Sequence, residues 1–193
     1  MTKENLEKLN KKWKKGCKCG LRKTATQAVF GDGNAHADIV FIGEAPGKSE
    51  DKAGKPFVGS AGKFLSEMLS TIQLQREDVY ITNIVKYRPP NNRDPLPLEK
   101  STCKSWLLEE LKIINPKLII LLGRHALNTF FPDEKISTKH GKVLIKNIKE
   151  VPIKYFLVLY HPASLFYNPS IKKIFLKDFK KIPKILKEIN NKL

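Results

Sequence analysis

Four short, almost uninterrupted apolar runs constrain the fold of this chain more than any other feature. They are residues 38–43, 79–85, 116–123 and 154–160, and segments with helical periodicity lie between them. A strand that is apolar at nearly every position is buried on both faces, which is typical of a parallel sheet covered by helices on each side. The sequence therefore predicts an α/β protein, a three-layer α/β/α sandwich around a central, mainly parallel four-stranded sheet.

The length of the chain favours one domain. Its 193 residues suffice for one sizeable hydrophobic core and are few for two. The sequence shows no internal repeat and no linker, so a single domain is expected over residues 1–193.

Three segments have the spacing of amphipathic helices. Residues 3–15 place leucines and a tryptophan on one face of a lysine-rich helix. Residues 60–74 are expected to begin with Ser60 as the cap, and residues 170–190 form a basic helix interrupted near Pro183. These helices are predicted to cover the sheet.

Three further segments are predicted to lie outside the helices. Residues 88–99, "RPPNNRDPLPLE", contain four prolines and should form a surface loop before a helix that ends near residue 114. Residues 140–150 are expected to form a hairpin or an edge strand, and "HPASLFYNP" (161–169) a loop.

A large excess of basic residues restricts the partners. Lys and Arg number 36 against 19 Asp and Glu, a net charge of +17. This charge attracts polyanions, with nucleic acid the first candidate and an anionic membrane surface the second, although a biased genome composition would produce the same excess. Without an apolar run of roughly 18 residues or a signal-peptide core, we expect a cytoplasmic protein with no membrane partner.

Polar and aromatic residues lie just beyond the carboxyl ends of the predicted strands. In parallel sheets, this is where ligands bind. "GEAPG" (43–47) offers backbone N–H groups between two glycines, Asn83 a donor and an acceptor, and His161 an imidazole. Phe57 offers a flat face. A tight turn, a turn-forming Asn, a structural His and a core Phe are the plainer alternatives. Together these groups suit a planar heterocycle with carbonyl groups, such as a nucleic-acid base.

Four blocks of the sequence resemble the family 4 uracil-DNA glycosylases. They occur in family order within residues 16–170: "GEAPGKSEDKAGKPFVGSAGKFL", "YITNIVKYRPPNNRDPLPLE", "PKLIILLGRHAL" and "HPASL". The first and last resemble the two active-site motifs of the superfamily. The resemblance implies a hydrolase, expected to be a monomer, that removes uracil from single- or double-stranded DNA and leaves an abasic site.

The resemblance also implies roles for individual residues. Asn83 matches the asparagine that reads the uracil edge, and Phe57 the aromatic residue that stacks on the base. His161 would bond to uracil O2, and Glu44 would orient the attacking water or favour the sugar cation. Better-known relatives carry an acidic residue where Ala45 stands. The implied uracil-binding set is Gly43, Ala45, Gly47, Phe57, Asn83 and His161.

Two further roles are hypotheses. Relatives that exclude thymine with a tyrosine have it where Gly47 stands, so Glu50 is expected to crowd the C5 position instead. Leu165 is expected to act as a wedge that fills the space left by the flipped base, and a core position is the alternative.

The cysteines depart from the family pattern, in which four thiolates hold a [4Fe–4S] cluster. Cys19 and Cys103 match two of the four positions, whereas the first is Gly16, with Cys17 displaced by one, and the third is Tyr87. Tyrosine is a poor substitute for a thiolate. We therefore expect the cluster to be absent or altered, and a site on Cys17, Cys19 and Cys103 with an outside ligand is the alternative. The chemistry itself requires no cofactor.

Three other functions stay open at this point. The nearest is a glycosylase for hypoxanthine or other deaminated bases. The others are a nucleic-acid-binding module without activity and a mononucleotide-binding protein.

Overall fold

A six-stranded sheet forms the middle of the protein in a computed structural model that describes residues 2–149 and 151–192. The strands are β1 (Asp32–Gly33), β2 (Ile39–Gly43), β3 (Tyr80–Asn83), β4 (Leu118–Leu122), β5 (Val143–Ile145) and β6 (Tyr155–Leu159). Their order across the sheet is β1-β3-β2-β4-β6-β5. This architecture confirms the predicted α/β fold.

The four central strands are the predicted apolar runs. Strands β3, β2, β4 and β6 pair in parallel, with Val40 opposite both Tyr80 and Ile119. Every residue of β2 and β4 is buried, which explains why these strands lack an alternating pattern.

The predicted number of four strands is wrong, because the sheet has two more strands. Both are short, lie at the edges and run antiparallel to their neighbours. Strand β1 pairs with β3 and has only two residues, too few for a pattern. Strand β5 pairs with β6 and lies within 140–150, where an edge strand was one of the two expectations. Glu150, the last residue of that segment, lies outside the described residues.

Helices cover both faces of the sheet. They are α1 (Thr2–Gly16), α2 (Lys48–Ala53), α3 (Ser60–Ser70), α4 (Pro97–Ile114), α5 (Gly123–Phe130), α6 (Ile136–Lys139), α7 (Ser164–Tyr167), α8 (Pro169–Phe179) and α9 (Ile182–Asn190). One core cluster joins α1, α4 and α5 to one face of the sheet, and a second joins α3, α8 and α9 to the other. Within the described part of the chain, no helix has the length and apolar character needed to cross a membrane.

The structure corrects two of the segment predictions and confirms a third. Ser60 does not cap α3: Gly59 precedes the helix, and its N–H donates to the Glu50 carboxylate at 2.7 Å. The segment 161–169 is not only a loop, since it contains α7. The interruption near Pro183 separates α8 from α9, and this proline occupies the first turn of α9, where its missing N–H costs no hydrogen bond.

A buried ion pair joins the sheet to α4. The Lys86 ammonium lies 2.6 Å from Glu110 Oε2, and both side chains are almost fully buried. Tyr80 and Thr82 donate their hydroxyl groups to the same carboxylate at 2.8 and 3.0 Å. Lys86 also donates to the backbone oxygen of Asn83 at 3.0 Å, so this network holds the end of β3 in place.

Candidate active site

The carboxyl ends of β2 and β3 bring together Gly43, Asn83 and Phe57. Gly43 pairs with Asn83 in the sheet. A Cβ atom on Gly43 would lie 2.5 Å from Asn83 Oδ1 and 2.6 Å from the Phe57 ring. Only glycine therefore allows the amide and the ring to approach each other over this strand end.

Asn83 presents a buried acceptor that no group of the described residues satisfies. The residue is 2% exposed, and within the described chain its Oδ1 has no hydrogen-bond partner. Leaving such a group unpaired costs about 1–3 kcal/mol. An N–H donor on a bound molecule would remove that cost.

The backbone of Phe57 is held in a strained conformation. Its φ is 53°, in the left-handed region that residues other than glycine rarely adopt. The Arg76 guanidinium fixes it by donating to the carbonyl oxygens of Phe57 and Pro56, each at 2.8 Å. The ring centroid lies 5.6 Å from that of His161, with 34° between the planes. The aromatic face and the imidazole therefore belong to the same site.

His161 lies two residues after the end of β6 and carries a neutral ring at pH 7. The Ala163 N–H donates to His161 Nδ1 at 3.1 Å, which leaves the ring proton on Nε2. Burial lowers the pKa of His161 to about 4, with Glu50 raising it and His125 lowering it further. Gly123 makes room for this ring: its φ is 86°, and a Cβ atom there would lie 2.9 Å from His161 Cβ.

Glu44 follows β2 and lies at the edge of the same site. Its backbone oxygen accepts from the Val85 N–H at 3.2 Å, which ties the chain after β2 to the chain after β3. Burial, followed by the charge of Asp94, raises the pKa of Glu44 to about 7, while Arg124 and Lys100 oppose the shift. At neutral pH this carboxyl group is therefore close to half ionised.

Two neighbours of Glu44, His125 and Asp94, were not predicted from the sequence as site residues. His125 Nε2 lies 3.7 Å from Glu44 Oε2 and 3.2 Å from Asp94 Oδ2. A signal for His125 exists, because it follows β4 at the carboxyl end of the sheet, where the neighbouring strands supply the other residues. Asp94 lies in the proline-rich loop and has no such signal.

Glu50 holds two loops together. Its carboxylate accepts from the N–H groups of Gly47, Val58 and Gly59 at 3.1, 2.9 and 2.7 Å. Both oxygens are thus engaged by the backbone, and the structure does not place Glu50 as a free group over a bound base. The Gly47 amide is likewise taken, which removes it from the donors expected to face uracil, whereas Ala45 remains in the turn between Glu44 and α2.

Leu165 lies in the core rather than on the surface. It is 8% exposed and belongs to the cluster that contains Phe175 and Leu159. A wedge has to reach the DNA, so the structure corrects that expectation in favour of the core alternative. The exposed apolar residues of α7 are Phe166 and Tyr167, at 57% and 89%.

The three cysteines lie in the core cluster that joins α1 and α4 to the sheet. All are buried and free, and the Cys19 N–H donates to Cys17 Sγ at 3.3 Å. The interaction with the Cys103 thiol lowers the pKa of Cys19 to about 7. The position of a further thiolate is filled by Tyr87, whose ring packs on Trp13 at 4.9 Å. Three thiols and a packed phenol do not match the four thiolates of a [4Fe–4S] cluster.

A cleft of about 650 Å³ lies elsewhere, between α1, β1 and the start of β3. Cations such as Lys55 and Arg76 and anions such as Asp32 and Glu77 line it. None of the predicted site residues does, so the grouping of Asn83, Phe57 and His161 is separate from this cleft.

Comparison with known proteins identifies relatives along nearly the whole chain. The sequence model of the uracil DNA glycosylase superfamily matches residues 30–191. The type-4 uracil-DNA glycosylase of Archaeoglobus fulgidus is 48% identical over 170 residues, 86% of this chain and 85% of that protein. That of Sulfurisphaera tokodaii is 45% identical over 93% of this chain and 84% of its own length. That of Thermotoga maritima is 42% identical over 96% of both.

Proposed function

We propose that this chain, which belongs to the uracil-DNA glycosylase superfamily, hydrolyses the N-glycosidic bond of uracil in DNA, releasing free uracil and leaving an abasic site. The observation that carries the proposal is the buried, unpaired Oδ1 of Asn83 beside the ring of Phe57. The type-4 enzymes to which the chain is similar are named for this activity.

Recognition rests on the hydrogen-bonding edge of the base. Uracil carries an N3–H that can donate to Asn83 Oδ1, whereas cytosine has only an acceptor at N3. Cytosine would therefore leave the buried acceptor unpaired, at a cost of about 1–3 kcal/mol. The base has to leave the stack to reach this site, and the Phe57 ring supplies a face on which it can stack.

The chemistry separates charge between the sugar and the base. As the bond between C1′ and N1 breaks, its electron pair leaves with uracil, and negative charge develops on O2. The neutral His161 donates a hydrogen bond from its Nε2–H to that oxygen in the transition state and keeps its proton. Water adds to C1′ and loses a proton to the solvent, and the uracil anion takes up a proton from the solvent. Ionised Glu44 orients the water or favours the cation. No cofactor takes part.

The substrate is DNA, in single- or double-stranded form, and the protein acts as a monomer. The net charge of +17 supports binding to the phosphate backbone. Binding to both forms is expected to weaken as salt is added, because each neutralised phosphate releases counterions.

The first prediction tests the activity and its reading residue. The protein should release free uracil from an oligonucleotide with a single uracil, and alkali should then cut the strand at the abasic site. Asn83→Asp should lower the rate by about tenfold to a hundredfold, because the added charge and lost amide disrupt the pairing with uracil. Chromatography measures the released uracil, and gel analysis measures the cut strand.

Asn191→Asp, an exposed substitution of the same kind near the end of α9, is the matched control and should retain the parent rate. An inosine-containing duplex tests the hypoxanthine alternative. Intact strands with every uracil-containing substrate would refute the proposed function, and an Asn83→Asp rate equal to that of the parent would refute the role of Asn83.

We also propose that the chain folds without a [4Fe–4S] cluster. The packing of Tyr87 on Trp13 occupies the position of one thiolate, and a glycine occupies that of another. Burial of these aromatic rings stabilises the contact of α1 with α4 in place of metal–thiolate bonds.

The second prediction concerns iron. Protein purified without oxygen should contain fewer than one iron atom per chain. It should also lack the visible absorbance of an iron–sulfur cluster. The double variant Gly16→Cys/Tyr87→Cys restores the family's four thiol positions and should acquire that absorbance after reconstitution with iron and sulfide. About four iron atoms per parent chain would contradict the proposal.

A further inference from the structure

We propose that Asp94 and His125 are positioning residues for Glu44 that hold its carboxyl group and set the pH at which it becomes active. The inference rests on the proposed glycosylase function and adds residues that the resemblance does not supply. The side-chain oxygen and nitrogen atoms of Asp94, His125 and Glu44 all lie within 4.8 Å of one another.

Three separate elements supply this cluster. Glu44 comes from the end of β2, Asp94 from the loop before α4, and His125 from the first turn of α5. His125 Nε2 lies between the two carboxylates, 3.2 Å from Asp94 Oδ2 and 3.7 Å from Glu44 Oε2. Arg124 donates to the same Asp94 oxygen, so that Asp94 is fixed from two sides.

The His125 ring contributes a neutral polar group rather than a charge. Its side chain is 11% exposed, and its buried Nε2 makes no hydrogen bond within the described residues. Burial, with Arg124 and Lys100 adding to it, lowers the pKa of His125, and Asp94 only partly opposes that shift. A neutral ring between two carboxylates favours the tautomer with its proton on Nε2. The ring lies between the two carboxylates and so limits how far the Glu44 carboxyl group can move toward Asp94.

The charges around Glu44 act on it in opposite directions. Burial, followed by the negative charge of Asp94, raises the pKa of Glu44 to about 7, whereas Arg124 and Lys100 lower it. A group with a raised pKa loses its proton only as the pH approaches that value. If the ionised form acts, the rate should therefore rise with pH around pH 7. His161 has a pKa of about 4 and does not titrate in this range.

The third prediction follows from the directions in which these charges shift the pKa of Glu44. In single-turnover reactions at low ionic strength, the parent rate should rise with pH with a midpoint of about 7. Asp94→Asn removes the neighbouring negative charge and should move the midpoint down by about one pH unit. Arg124→Gln removes a positive charge and should move it up. Added salt should reduce both shifts, because Asp94 and Arg124 are more than half exposed.

Asp38→Asn is the matched control, because Asp38 lies at the opposite end of β2 and pairs with Lys117. The midpoint of this variant should equal that of the parent. A purely structural role for Asp94 would change the rate at every pH and leave the midpoint in place.

A second measurement separates this inference from the proposed function. NMR of the glutamate carboxyl carbons, assigned with Glu44→Gln, follows the ionisation of Glu44 without any substrate. A lower midpoint in Asp94→Asn supports the inference even if uracil is not the substrate. Equal midpoints in the parent, Asp94→Asn and Arg124→Gln would overturn it, whether or not the protein releases uracil.

Discussion

Glu110→Gln is expected to lower the free energy of unfolding by about 3–5 kcal/mol, the largest change in stability that we predict. The substitution keeps the size of the side chain and removes the charge that faces the Lys86 ammonium at 2.6 Å. Both groups are almost fully buried, so water cannot replace the lost partner. The hydroxyl groups of Tyr80 and Thr82 would also lose a charged acceptor. Denaturant unfolding followed by circular dichroism measures the difference.

Asp38→Asn provides the matched carboxylate-to-amide change at an exposed pair. Asp38 and Lys117 are 47% and 36% exposed, so this variant should lose less than about 1 kcal/mol. The double variant Lys86→Met/Glu110→Leu removes both charges and should recover much of the stability lost by Glu110→Gln. Equal stabilities of Glu110→Gln and Asp38→Asn would show that the buried network does not support the fold.

His161→Asn should reduce the rate of uracil release by about 10²–10³-fold, the largest expected effect on activity. The shorter amide cannot take the place of the neutral imidazole, whose Nε2 proton is directed by the Ala163 N–H on Nδ1. Because the bond strengthens as charge develops on uracil O2, the loss should appear in kcat and hardly in KM. Steady-state kinetics on a uracil-containing duplex separates the two constants.

His36→Asn is the control for this prediction, since His36 is exposed and lies before the start of β2, whereas the site lies at the other end of that strand. It should leave both constants unchanged. A His161→Asn enzyme with a kcat within threefold of the parent value would mean that another group stabilises the departing base.

The sites of the main residues could be predicted because they follow strands. Asn83 ends β3, Glu44 follows β2 and His161 follows β6, and each strand is visible as an apolar run. The roles of these residues came from the family resemblance. Physical reasoning from the sequence identified only that they lie where a ligand can bind. The structure brings Gly43, Phe57, Asn83 and His161 together, as that assignment requires.

Other features could not be read from the chain because they depend on contacts between distant segments. The left-handed conformation of Phe57 depends on Arg76, which donates to its carbonyl oxygen. Glu50 is occupied by amides at 58 and 59, which cap α3 without a Ser60 side chain.

The sequence by itself determined the four parallel strands and the strand ends where chemistry can occur. The reason is that a strand buried on both faces consists almost entirely of apolar residues, which are visible in a short stretch of sequence. Tertiary structure alone decided that Leu165 is buried and that Asp94 and His125 meet Glu44. The physical reason is that burial of a single side chain and the electrostatic environment of a carboxylate depend on distances through space, which residues far apart in the chain establish only when the protein folds.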